Sequence, residues 1–163
     1  MKHKIALLSL IAGVCMFGTQ ASAQQHAADH TMMTPSDFKW ADVPAMPAGS
    51  KITIIEGNEG NMSAAEPFTA RLRFPPNTKI LPHWHDTIEH VTVISGSFNM
   101  GVGDTLDPTK TQKLDAGSVA IMQPKVHHFG FTGTEETTLQ LHGTGPWTVT
   151  YVNPADDQRK KTN

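Results

Sequence analysis

Beyond residue 50, the chain is built from short segments in which apolar and polar side chains alternate. In one of them Phe68, Leu72 and Phe74 fall on one face, while Arg71 and Arg73 fall on the other. This two-residue period is typical of a β-strand with one buried face. Strands are predicted in eight segments, which are residues 51–57, 68–74, 79–85, 89–103, 118–124, 127–133, 137–143 and 147–152.

Glycine, proline and asparagine separate these segments, as they do between the strands of antiparallel sheets. Beyond the N-terminal region no segment has a sustained helical period, and only residues 107–114 have the composition for a single helical turn. Many short strands at regular spacing predict an all-β domain, a small antiparallel β-barrel or jelly roll.

The N-terminal region has the composition of an export signal. Lys2 and Lys4 precede the apolar run of residues 5–18, and small residues follow at Ala21 and Ala23. This order predicts a Sec-type signal peptide over residues 1–23, whose apolar run is too short to span a bilayer. We therefore expect a periplasmic or secreted protein. A flexible leader (24–37), one β domain (38–155) and a polar tail (156–163) would follow.

Charge and cysteine content exclude several classes of function. Cleavage near Ala23 would remove Lys2 and Lys4 from the 13 basic residues, leaving eleven against 15 acidic ones and a net charge of about −4. Such a chain is a poor ligand for nucleic acid or for anionic membranes, so a small molecule is the expected partner. The single cysteine, Cys15, would also be lost, which excludes disulfides and thiolate chemistry in the mature chain.

Three candidate metal ligands stand within seven residues, in the segment PHWHDTIEH. His83 and His85 lie two residues apart, so on a strand they point to the same side, with Cβ atoms about 6.5–7 Å apart. Two imidazoles at that spacing can bind one ion at about 2.1 Å from each nitrogen. Residues 86–88 can turn the chain, and Glu89 then opens the next strand as a third ligand.

A fourth ligand is expected from residues 117–131, where His127 and His128 are adjacent. Only one of two adjacent strand residues can face the interior, and the spacing does not decide which. His142 is a further candidate for acid–base chemistry. It lies opposite Leu139 and Leu141 in the alternation, so a structural role is the alternative.

The spacing around His83 resembles the first signature of the cupin superfamily, which is His-x-His, three residues, Glu, six residues and Gly. Here these positions are His83, His85, Glu89 and Gly96. The Gly that usually opens this signature is replaced by Asn77, a residue that adopts left-handed conformations more readily than most.

The second cupin signature is Gly, five residues, Pro-x-Gly, two residues and His. Its first Gly corresponds to Gly117 and its His to His128, so the resemblance selects His128 over His127. Gln123 and Lys125 replace the Pro and the Gly, and Thr132 replaces the closing Asn, which puts the turn before His128 in question.

The resemblance implies one divalent metal ion bound by His83, His85, Glu89 and His128. Three imidazole nitrogens and one carboxylate suit Mn, Fe, Co, Ni, Cu or Zn alike. With an octahedral ion two positions would remain for other molecules, whereas a tetrahedral zinc would be saturated. Glu89 could instead leave the ion and act as a base.

Among cupins this ligand set occurs in dioxygenases, oxalate-type decarboxylases and isomerases. The expected function is therefore that of a metal-dependent enzyme acting on a small oxygen-rich molecule, with dioxygenase chemistry slightly favoured. A non-catalytic protein that binds a metal or a small ligand is the alternative. A homodimer is expected from the resemblance alone.

Overall fold

A computed structural model describes residues 31–57 and 65–160 of the chain. The predicted signal peptide, the first part of the leader and residues 161–163 lie outside this range. The part of the leader that is described contains a single 3-10 turn, Pro35–Asp37, on exposed chain. Across the described ranges, no helix is long and apolar enough to cross a membrane.

Two antiparallel sheets make up the described part of the chain. Their strands, numbered in chain order, are β1 Ala41–Asp42, β2 Lys51–Glu56, β3 Pro67–Phe74, β4 Lys79–Trp84, β5 Glu89–Ser95, β6 Ser97–Val102, β7 Gln112–Asp115, β8 Val119–Met122, β9 His128–Thr132, β10 Thr137–Thr144 and β11 Thr150–Tyr151. The six-stranded sheet has the order β1-β2-β3-β10-β5-β8, and the five-stranded sheet has the order β11-β4-β9-β6-β7.

The predicted all-β jelly roll is confirmed, but its closure into a barrel is wrong. No hydrogen-bonded ladder joins the described edge strands of one sheet to those of the other, so the two sheets do not close into a barrel. At the level of single elements, residues 89–103 divide at Gly96 into β5 and β6. The predicted turn in 107–114 is the 3-10 turn Pro108–Lys110, followed by strand β7, which the sequence pattern did not indicate.

The core is formed by the inner faces of the sheets. On β3 every second residue is buried, and these are the apolar positions of the predicted alternation, Phe68, Ala70, Leu72 and Phe74. Each large apolar side chain buried in this way contributes about 1.5–3 kcal/mol relative to exposure. Burial of one face fixes the register, because a shift by one residue would expose the whole apolar set.

Left-handed backbone conformations occur at the turns where the sequence departs from the cupin signatures. Asn77 has φ 56° and Lys125 has φ 61°, although a side chain at such an angle costs roughly 1–2 kcal/mol. The turn before His128 therefore forms without the glycine. The Lys125 N–H donates a hydrogen bond to the carbonyl of His85 at 2.8 Å, which ties this turn to the end of β4.

We predict that Gly96→Ala is far more destabilising than Gly117→Ala. Both glycines have positive φ, 73° and 90°, so each alanine would suffer a conformational cost of about 1–2 kcal/mol. A Cβ at Gly96 would also lie 2.6 Å from the carbonyl oxygen of Glu136, whereas nothing lies within 4 Å at Gly117. Urea unfolding should show a further loss of about 1–3 kcal/mol for Gly96→Ala. Equal losses would contradict the close packing of this turn.

Candidate metal centre

Four buried polar side chains meet between the two sheets, at the ends of their strands. His83 on β4 is the register partner of His128, the first residue of β9. His85 directly follows the end of β4, and these three histidines belong to the five-stranded side. Glu89, the first residue of β5, comes from the six-stranded sheet. The cluster therefore joins the two sheets.

The three histidines are close enough to share one ion. One ring nitrogen from each of His83, His85 and His128 lies within 4.8 Å of the other two. Glu89 lies beside two of them, with Oε1 3.4 Å from Nε2 of His85 and Oε2 3.6 Å from Nε2 of His128. The structure thus brings together all four residues predicted as ligands. The carboxylate lies next to the compact group of three histidines and outside it.

Backbone carbonyls fix the tautomer of each histidine. In all three rings Nδ1 lies within hydrogen-bond distance of a carbonyl oxygen, which can only accept. Nδ1 must therefore carry the proton, and Nε2 keeps a free lone pair. The three bonds run from His83 to Leu81 (2.8 Å), from His85 to Thr148 (2.6 Å) and from His128 to Val126 (2.9 Å).

This arrangement leaves the centre of the cluster without a proton donor. Nε2 of His85 and Nε2 of His128 are buried and have no hydrogen-bond partner among the described residues. Both face the carboxylate of Glu89, which when ionised also only accepts. Buried acceptors without a donor are costly, and a cation between them removes that cost. The residues therefore fit a divalent transition metal ion bound through imidazole Nε2 atoms and one carboxylate.

Burial also keeps the histidines in the neutral form that binds metals. Desolvation, reinforced by the neighbouring His128 and His85, lowers the pKa of His83 well below its ordinary value of 6.5. Desolvation likewise lowers the pKa of His85, although the Glu89 carboxylate opposes the shift. At neutral pH the two rings are uncharged, so an ion would not have to displace protons from them.

Two aromatic side chains hold the histidine rings in place. The indole of Trp147 stacks on His85, with ring centroids 4.6 Å apart and an angle of 20° between the planes. Tyr151 lies 5.9 Å from His83, and its hydroxyl donates to the carbonyl of Ala45 at 2.7 Å. Burial raises the pKa of Tyr151 to about 12, so this donor stays protonated. Such outer contacts orient the ligands of metal sites.

The other candidate histidines lie elsewhere. His127 points outward, with Nδ1 2.6 Å from Oδ1 of Asp104, whereas His128 is buried in the cluster. His142 is exposed and stacks on His90, while its neighbour Leu141 is buried in the core. The structure does not bring His142 to the cluster. Its acid–base role stays a prediction that no contact supports.

Neither the three carbonyl acceptors nor the pairing of Trp147 with His85 is marked by a pattern in the sequence. Every residue has a carbonyl, so no residue type signals this function. Two of the acceptors do lie two residues before their histidine, at Leu81 and Val126, and this spacing could have been noticed. Thr148 is 63 residues from His85, and no local signal connects them.

A narrow cavity begins at the cluster and extends into the core. His83, Glu89 and His128 supply its polar side chains, and the remaining lining is apolar, including Met46, Phe98, Met100 and Phe129. No lysine or arginine lines it. A water-sized sphere can occupy about 30 Å³, which is enough for only very small molecules.

We predict that His128→Gln weakens metal binding strongly, whereas His127→Gln leaves it unchanged. The first variant removes one of the converging nitrogens, and the second removes an exposed imidazole one residue away. Loss of a ligand should lower the affinity by more than about 100-fold, since loss of an outer contact alone costs 10–100-fold. Competition with a chromophoric chelator measures both constants. Equal effects of the two variants would rule out the site described here.

We predict that the metal-free protein loses stability as the pH falls below about 6.5. His83 and His85 have lowered pKa values in the folded state, so the unfolded chain takes up their protons first. Stability is therefore greatest above pH 6.5 and decreases by up to about 1.4 kcal/mol per pH unit for each histidine that titrates in this way. Urea unfolding between pH 7.5 and 5.5 measures the slope. The His83→Gln variant should have a shallower slope, and an unchanged slope would contradict the assignment.

Comparison with known proteins supports the fold more strongly than any activity. No protein-family profile matches the chain. A curated relative, putative germin-like protein 9-2 from Oryza sativa subsp. japonica, is 32% identical over 77 residues. That match covers 47% of this chain and 36% of the relative, so the chain spans little more than a third of the relative's length.

Three solved structures have similar folds. An RmlC-like cupin from Shewanella frigidimarina has a TM-score of 0.55 at 17% identity, over 72% of this chain and 93% of its own. The polyketide cyclase RemF from Streptomyces resistomycificus has a TM-score of 0.62 at 16% identity, over 82% and 92%. An oxalate oxidase has a TM-score of 0.55 at 20% identity, over 79% and 67%.

Three observations agree on one fold. They are the two facing antiparallel sheets, the signature residues brought together between them, and the similarity to these three solved structures. The resemblance predicted from the spacing of His83, His85, Glu89 and His128 is confirmed at the level of the fold, which is the jelly roll of cupins.

Proposed function

We propose that this protein is a metal-dependent cupin enzyme that acts on a small oxygen-containing molecule, with dioxygenase-type chemistry favoured. The observation that carries the proposal is the cluster of bare Nε2 atoms facing the Glu89 carboxylate. A purely structural cluster of histidines would be expected to satisfy its nitrogens within the fold. Here the Nδ1 side is satisfied and the Nε2 side is not, which supports an ion at the centre.

A bound transition ion would supply Lewis-acid and, depending on its identity, redox chemistry at an oxygen atom of the ligand. The chain's own residues would do the rest. The stacked Trp147 and the three carbonyls hold the imidazoles in position. The apolar lining excludes bulk water, which strengthens every electrostatic contact inside.

Glu89 is the candidate for proton transfer. Its carboxylate is buried beside two histidines, and no lysine or arginine lines the cavity to compete for it. In this role Glu89 would accept a proton from a hydroxyl group of the ligand and return it to the product. Among the side chains that line the cavity, no other carboxylate is present.

The cavity supports a small uncharged ligand. Apart from the proposed metal ion, its lining offers no cation that could pair with a carboxylate, and the available space suits dioxygen or a molecule of similar size. A larger ligand would require Met46 and Met100 to move, and the flexible methionine side chain makes such adjustments readily. The apolar lining thus favours dioxygen and a neutral phenolic or enolic molecule.

Two alternatives remain of interest. The fold neighbours include an oxalate oxidase and a polyketide cyclase, so decarboxylase-like or isomerase-like reactions are the nearest catalytic alternatives. The smallness of the cavity favours a different alternative, a protein that binds a metal or a small ligand without converting it.

We further propose export across the inner membrane, on the pattern of residues 1–23, and a homodimer, on the resemblance alone.

Metal analysis is the first test. The exported chain, beginning near residue 24, is purified without chelator beside a His83→Ala/His85→Ala variant, and metals are determined by elemental mass spectrometry. We expect about one equivalent of a divalent transition ion, lost in the variant. If neither protein holds metal after reconstitution, the proposal is wrong and the likeness to cupins is one of fold only.

Oxygen uptake then separates the functions. The loaded protein is offered catechols and enols in an oxygen electrode, with His127→Gln as the matched control for loss of one histidine. Uptake that depends on substrate, persists in His127→Gln and is lost in Glu89→Gln supports the dioxygenase proposal. Substrate conversion without oxygen uptake would support the decarboxylase or isomerase alternative. Tight binding of metal with no conversion would support the binding protein.

A further inference from the structure

A second pair of histidines lies on the opposite face of the six-stranded sheet. His90 on β5 and His142 on β10 are direct register partners. Their rings are stacked, with centroids 4.5 Å apart and an angle of 11° between the planes. His90 directly follows Glu89, and His142 directly follows Leu141. Because Glu89 and Leu141 point inward, the sheet itself separates this outer pair from the candidate metal centre.

One nitrogen of this outer pair has no partner. Nδ1 of His90 is covered by its surroundings and makes no hydrogen bond among the described residues. Among the described residues no carboxylate is hydrogen-bonded or ion-paired to either ring, in contrast to His127, which is paired with Asp104. The stacking of the two rings buries their faces, but it leaves this polar atom unsatisfied. A metal ion, which binds the lone pair of an imidazole nitrogen, is one partner that would satisfy it.

The geometry of a cross-strand pair suits a shared ion. Directly opposed residues on antiparallel strands have Cβ atoms about 4.5–5.5 Å apart, which allows two imidazole nitrogens to reach one metal at about 2.0–2.1 Å. His142 is exposed, so its ring can rotate away from the stacked position without disturbing the core. The open side would leave the remaining coordination positions to water.

The surroundings favour a cation. Next to His142 on β3 lies Thr69, whose hydroxyl donates to the carboxylate of Glu56 at 3.0 Å. On the other side of His90 the register partner is the apolar Ile121. Arg71, on the neighbouring strand β3, is hydrogen-bonded to Gln140 at 3.1 Å. The outer pair therefore has a negative charge on one flank and no positive charge as a direct register partner.

We propose that His90 and His142 form a second binding site for a borderline divalent metal ion, on the outer face of the six-stranded sheet and distinct from the centre around His83. Two imidazoles without a thiolate or carboxylate favour Cu²⁺ over Ni²⁺ and Zn²⁺, following the general order of stability of such complexes. The site bridges β5 and β10, so a bound ion would link two neighbouring strands of the six-stranded sheet.

The test is a Cu²⁺ titration of the protein after its interior site has been loaded with metal. Calorimetry gives the number of further ions and their affinity, and electron paramagnetic resonance reports the nitrogen ligands. We expect one further Cu²⁺ per chain with two nitrogen ligands. The His142→Gln substitution should lower the affinity for this Cu²⁺ by at least about tenfold, because even the loss of an outer contact at a metal site costs that much. His127→Gln, which removes another exposed histidine, should change nothing.

The outcomes separate this site from the interior one. In the His83→Ala/His85→Ala variant the interior metal should be lost while the outer Cu²⁺ stays. In His142→Gln the outer Cu²⁺ should be lost while the interior metal stays. His142 is exposed, so its replacement is not expected to prevent folding. If Cu²⁺ binding is unchanged in His142→Gln, or is lost equally in His127→Gln, the outer site does not exist, whatever the interior cluster binds.

Discussion

The candidate site depends on one constraint, which is the tautomer of each buried imidazole, with the proton on Nδ1. Carbonyl oxygens of Leu81, Thr148 and Val126 hold that proton on Nδ1, so the Nε2 lone pairs converge on a common centre beside Glu89. A cluster of this kind is electrostatically incomplete without a cation, because every group that faces the centre is an acceptor. The fold supplies three of these groups from one sheet and the fourth from the other.

The same constraint accounts for the left-handed turn before His128, where Lys125 stands at the position of the glycine in the cupin signature. The chain must bring the ends of β4 and β9 together so that His83 faces His128. Lys125 adopts a left-handed conformation to do this, and its N–H binds the carbonyl of His85. Its ammonium also lies 5.6 Å from the ring of Trp84, which partly offsets the conformational cost. A glycine is therefore favourable at this position without being required.

The six-stranded sheet separates two sets of histidines with different chemistry. Alternation along β5 sends Glu89 inward and His90 outward, and alternation along β10 sends Leu141 inward and His142 outward. The inner set adjoins an apolar cavity and has fixed tautomers, whereas the outer pair is stacked on the other face of the sheet, with His142 exposed. Adjacent residues of a single strand thus contribute to an enclosed site and to an open surface.

The sequence by itself determined most of the strands, their apolar faces and the grouping of His83, His85 and Glu89, because two-residue alternation and short spacing are local properties. Local pattern left His127 and His128 equivalent, and only the similarity to cupin signatures separated them before the structure did. The tertiary structure alone decided that the sheets face each other without closing, that Thr148 and Trp147 support His85, and that His142 meets His90. These contacts join residues far apart in the chain, so they depend on strand order and register, which no local periodicity encodes.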